Sequence, residues 1–117
     1  MMDTRDITYI VRGRIWIEVH RKTLLGEGKV HLLRKTAEHG SLRKAAKEMN
    51  LSYRKAWYSL NQMNNAAGTP LIVLKRGGRQ GGIAQITAYG KEILGKFEKA
   101  EEEFIAFLDA QTRRLNL

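Results

Sequence analysis

The chain has 117 residues, 21 Lys and Arg against 12 Asp and Glu, a net charge of +9 and no cysteine. That length suits one domain with a modest core, and without cysteine there is neither a disulfide framework nor a thiolate zinc site. The longest apolar run, Leu71–Leu74, falls far short of the roughly 18 residues of a membrane span.

At the amino terminus, MMDTRDITYI holds two acids and no apolar h-region, so no secretory signal is expected and the protein is placed in the cytoplasm. The segment Arg14–Val19 alternates Ile15, Ile17 and Val19 with Trp16 and Glu18, the period of a half-buried strand. After His20 and Arg21, KTLLG is expected to return as the second strand of a hairpin. The stretch GKVHLLRKTAEHG then sets Val30, Leu33 and Ala37 at helical spacing and stops at Gly40, a residue suited to the position just past a helix.

Ser41 is a candidate N-cap for a second helix carrying Leu42, Ala45, Ala46 and Met49. Asn50 falls where the chain must turn, and Asn tolerates the left-handed conformation better than most residues. Ser52 is expected to cap a third helix with Ala56, Leu60, Met63 and Ala67 as its buried stripe, ended by Gly68 and Pro70. Trp57, between Tyr53 and Leu60, could touch DNA with its indole, but the core is the expected place for it. PLIVLKRGGRQGGIAQIT reads as a β-hairpin around a glycine-rich basic tip, without the Gly-Lys-Ser/Thr ending of a nucleotide-binding loop. A last helix is expected from Ala88 to about Arg113. Its 4-3-4-3 seam of Ile93, Phe97, Ala100, Phe104 and Phe107 must pack on its own domain or on a second subunit. The fold class is therefore α+β, mostly helical, in a single domain over residues 1–117: hairpin, helices and wing over about 13–87, then the terminal helix over about 88–115.

The positive charge is concentrated. From Ser41 to Lys91 nine basic residues face the single acid Glu48, a net of +8, while the two flanks together hold 12 basic and 11 acidic residues. Local basic charge is the electrostatic footprint of a polyanion partner. Two helices joined by three or four residues, with small Ala45 and Ala46 at their crossing, form a helix-turn-helix. In that motif the start of the second helix meets base edges in the major groove. Here it opens with Ser52, Tyr53, Arg54 and Lys55, types that pair with guanine or reach phosphate. Lys75, Arg76, Arg79 and Gln80 sit where a wing would rest on backbone or in the minor groove.

Catalysis has little support. His20, His31 and His39 lack the i, i+4 spacing of a metalloprotease helix, no Gly-x-Ser-x-Gly elbow occurs, and the acids of the last helix alternate with Lys96 and Lys99 as a solvated face does. Neither a metal nor any other cofactor is implied.

GRIWIE, then GSLRKAAKEMNLSYRKAWYSLNQMN, then GGRQGGIAQITAYG resemble the N-terminal DNA-binding domain of the molybdate-responsive, ModE-type transcription regulators. A more distant likeness to LysR-type domains lies in GTPL and ITAYGKEIL. The resemblance implies a winged helix-turn-helix homodimer joined through its long terminal helices and bound to a palindromic site in double-stranded DNA. By position, Arg43 and Lys44 would approach phosphate, Ser52–Lys55 would enter the major groove and the wing would flank it. The full set of expected DNA-binding residues is Ser41, Arg43, Lys44, Ser52, Tyr53, Arg54, Lys55, Tyr58, Lys75, Arg76, Arg79 and Gln80. Ile93, Phe97, Ala100, Phe104 and Phe107 form the expected dimer interface. Family members carry molybdate-binding domains after this one, and nothing up to Leu117 resembles them, so molybdate or other oxyanion binding is not expected. An RNA-binding basic domain, a non-specific architectural DNA binder and a protein-interaction module are the competing readings.

Overall fold

The computed structural model describes residues 6–76 and 82–117. The order is β1 (Ile17–Val19), β2 (Lys22–Leu25), α1 (Glu27–His39), α2 (Leu42–Glu48), α3 (Tyr53–Ala67), β3 (Ile72–Lys75), β4 (Ile83–Ile86) and α4 (Ala88–Leu115). The result is an α+β domain of three packed helices, two antiparallel hairpins and one long terminal helix.

The first hairpin is shorter than its sequence pattern. A register shift between Ile17 and Glu18 breaks the ladder, so Ile15 packs on the core from outside the strand. His20 and Arg21 turn the chain with φ of 50° and 67°, the left-handed pair that a two-residue hairpin requires. Gly40 ends α1 in the left-handed conformation (φ 61°).

The turn between α2 and α3 forms as expected. Asn50 adopts φ 56°, and the Leu51 N–H reaches back to the Ala46 carbonyl at 2.8 Å, closing the end of α2. Ala45, Ala46 and Ala56 are fully or almost fully buried at the crossing of α1, α2 and α3. Small side chains there let the helix axes approach. The buried stripe of α3 is Ala56, Leu60 and Met63, with Ala67 at its edge.

Two links place the second hairpin. The Ala84 N–H of β4 donates to the Gly40 carbonyl at 2.9 Å. Thr87 caps α4 by accepting from Gly90 N–H at 2.9 Å, and its own N–H donates to the Leu71 carbonyl at 2.9 Å. The first turn of α4 thus lies against the start of β3, so closely that a Cβ on Gly90 would come within 2.2 Å of the Leu71 carbonyl oxygen.

α4 runs 28 residues, about 42 Å at 1.5 Å per residue. Its first half crosses the core, where Phe97 is only 1% exposed. Its second half leaves the domain, accompanied by the extended segment before β1. There the Asn116 side chain accepts from Tyr9 N–H at 3.0 Å and donates to the Tyr9 carbonyl at 2.8 Å, while Val11 N–H donates to Thr112 Oγ1 at 2.9 Å.

Candidate nucleic-acid interface

The basic face is assembled from the start of α2, the start of α3 and the end of β3. Both serines expected there work as helix caps. Ser41 Oγ accepts from Lys44 N–H at 3.2 Å and Ser52 Oγ from Lys55 N–H at 3.1 Å. Each cap satisfies one backbone donor that the helix start would otherwise leave free. Ser52 stays exposed, but Ser41 is 8% exposed. Ser41 is thus the helix cap its position suggested, and it has little surface left to offer DNA.

Arg43, Lys44, Tyr53, Arg54, Lys55 and Tyr58 are all exposed. The Arg43 guanidinium lies over the Tyr53 ring, 5.2 Å from its centroid. Stacking engages the face of the guanidinium and leaves its edge N–H donors free, so the contact pre-positions a cation between the two helices. Arg54 and Lys55 occupy the first turn of α3, where the positive end of the helix dipole adds attraction for phosphate.

Glu48, the one acid from Ser41 to Lys91, is turned to the other side. Its carboxylate bonds His39 and pairs with Lys35 at 3.1 Å, both on α1. His39 first, then Lys35, hold the Glu48 carboxyl below the usual carboxylate range. Glu48 and Glu38 in turn push the Lys35 ammonium pKa upward. The cluster clasps α1 to α2 and leaves the motif's outer face without a competing negative charge.

Lys75 and Arg76 are exposed at the end of β3. Arg79 and Gln80, with the hairpin tip, lie outside the described residues. The second hairpin's position is set by Asn64 on α3, which the sequence reading named only within the stretch that carries the family resemblance. Its Oδ1 accepts from Leu71 N–H at 2.8 Å and Ile72 N–H at 3.3 Å, and its Nδ2 donates to the Ile72 carbonyl at 2.9 Å. One side chain thereby locks β3 to α3. A polar residue flanking the apolar stripe was the only sequence signal for it.

Trp57 is corrected. It is 45% exposed and lines a cleft between α3 and β3, because Ala56 takes the inward position one residue earlier. The expected interface residues of α4 divide. Phe97 lies in the core of its own domain, since the first half of α4 lies across that core, and Ile93 packs at its edge. Ala100 is exposed and Phe104 half-buried, close to Gly13. Phe107 is 55% exposed and stacks on Phe104 with centroids 6.4 Å apart.

Among the described residues no group of three His, Asp or Glu could hold a metal ion, and no described helix is long and apolar enough to cross a membrane.

A tight helical pair with small residues at its crossing, a capped and basic second helix, and an antiparallel hairpin bonded beside it define a winged helix-turn-helix domain, a DNA-binding class. The chain belongs to the bacterial regulatory helix-turn-helix proteins of the lysR family, whose model matches residues 28–91, just over half of its length. It is similar to the "Molybdenum transport protein ModE" of Azotobacter vinelandii, at 39% identity over 104 residues, covering 89% of this chain and 38% of that protein. The "Molybdenum-pterin-binding protein MopA" of Rhodobacter capsulatus is 37% identical over 73 residues, 62% of this chain and 28% of that protein. The "DNA-binding transcriptional dual regulator ModE" of Escherichia coli is 29% identical over 82 residues, 70% of this chain and 31% of that protein. The chain thus spans about a third of the length of these relatives. The family is one of regulators and not of enzymes.

Proposed function

We propose that this chain is a sequence-specific, double-stranded DNA-binding transcription regulator that acts as a homodimer. The observation that carries the reading is the composition of the helix-turn-helix face: Arg43, Lys44, Arg54 and Lys55 are exposed together, while Glu48 is occupied by α1. α3 enters the major groove with Arg54 and Lys55 toward base edges and phosphate, and Lys75 and Arg76 rest on the flanking backbone. Two copies joined along the distal half of α4 address half-sites about one helical turn apart, roughly 34 Å. The relatives' names tie some of them to molybdenum and one to transcriptional regulation. The present reading draws on the latter alone, and no molybdate site is proposed on this chain.

Selection from a random duplex pool at near-physiological salt, followed by sequencing, tests this reading. An enriched palindrome with half-sites about ten base pairs apart is expected. Binding without enrichment would replace the regulator with a non-specific architectural protein. Preference for structured RNA at equal salt would make it an RNA-binding domain.

A further inference from the structure

Two elements of the basic face carry apolar side chains that the domain core does not cover. On α3, Trp57 stands one position past the buried Ala56, and on β3 both Val73 and Leu74 are exposed. Strand alternation would turn one of those two inward, yet only Ile72 of β3 is buried. Together with Pro70 and the exposed amide of Asn61 they line a cleft of about 270 Å³ between helix and strand. Trp57, Pro70, Val73 and Leu74 thus form one apolar wall within the basic surface.

The surroundings of the cleft define its occupant. Arg54 lies about one turn before Trp57, and Lys75 and Arg76 follow Leu74. The occupant must therefore be apolar over a short span and anionic on both sides of it. A DNA strand has that character, with a base edge and sugar between successive phosphates. Asn61 sharpens the match. It lies four residues after Trp57, on the same side of α3, and an Asn amide pairs bidentately with adenine N6 and N7. The apolar group that the major groove presents on the paired base is the thymine 5-methyl.

We propose that Trp57 and Asn61 read an A·T base pair, the indole covering the thymine 5-methyl group and the Asn61 amide pairing with adenine. This rests on the DNA-binding reading above and adds a specificity element to it. Asn64 positions the site without touching DNA, because it holds β3, the cleft's second wall, against α3.

The test uses the full chain and the duplex enriched by selection. Each thymine is replaced in turn by deoxyuridine, which removes the 5-methyl group alone. At one position in each half-site the replacement should weaken the wild-type chain by about fourfold, the worth of one buried carbon. Trp57→Ala should bind the thymine and deoxyuridine duplexes equally. Trp57→Phe should keep part of the discrimination, which separates a reading role from misfolding. In a Trp16→Phe chain, where Trp57 is the remaining tryptophan, the emission should change on duplex binding. Replacing the partner adenine by 7-deazaadenine should weaken wild type and leave Asn61→Ala indifferent. Wild-type binding that ignores every deoxyuridine, or discrimination that survives in Trp57→Ala, would overturn the proposal and leave the regulator reading intact. A chain that enriches no duplex would overturn both.

Discussion

Thr36 is fully buried on α1, and its hydroxyl has no hydrogen-bond partner. The apolar stripe expected on that helix was Val30, Leu33 and Ala37; Val30 and Leu33 are buried, but Leu32 and Thr36 are buried beside them while Ala37 is only partly so. A count of apolar residues passes over a threonine in the stripe, although its methyl and shape suit a core. An unpaired buried hydroxyl is destabilising. Thr36→Val should therefore raise stability by about 1 kcal/mol in denaturant unfolding, and a loss of stability would mean that the hydroxyl has a partner. Trp57 illustrates the same difficulty in reverse. A tryptophan beside a core stripe was assigned inward by residue type, and one position of helical rotation past Ala56 turns it outward.

Among the elements, the pair α3 and β3 matters most, because in the proposed function both must hold one relative orientation to meet a duplex. Asn64 supplies three hydrogen bonds across that pair. Asn64→Ala would leave the Leu71 and Ile72 amides without their side-chain partner, at a cost of about 1–3 kcal/mol. Where the variant still folds, its affinity should drop on every duplex sequence alike, because the wing loses its register with α3. Unchanged stability in thermal unfolding would show that β3 is held mainly by its pairing with β4 and by Thr87. Both helix caps and the Asn50 turn were legible beforehand because each is a local event, settled within four residues by side-chain oxygens and backbone geometry. The bridge from Asn64 to Leu71 and Ile72 was not, since nothing local distinguishes it from a solvated asparagine.

As a whole the molecule is long, 63 × 29 × 22 Å with a radius of gyration of 18.4 Å, against about 13 Å for a compact chain of this length. The excess comes from the distal half of α4 and the segment bonded beside it. Ile7, Tyr9, Ile10, Ile105, Phe107 and Leu115 are all exposed there. A helix of this length that buries only its first half gains little from its own domain, so a second copy covering the remainder is the economical arrangement. Phe107→Glu should shift a dimer toward monomer in sedimentation equilibrium while leaving the core around Phe97 intact. An unchanged monomeric mass would overturn the proposed dimer, and an unchanged dimeric mass would move its contact away from Phe107. The same substitution at Phe97 could not make this test, because it would destroy the domain's own packing.

Periodicity, caps and charge placement specified the helices, their turns, the two hairpins and the basic character of the motif. Each of these follows from neighbours within a turn or two of chain and from the period at which apolar residues recur. Only the packed structure decided that Glu48 is drawn away by α1, that the α4 seam divides at Phe97 between core and open surface, and that Trp57 and Asn61 share a cleft with β3. Those outcomes depend on which element lies across which, and a sequence pattern records how much apolar surface must be covered without recording what covers it.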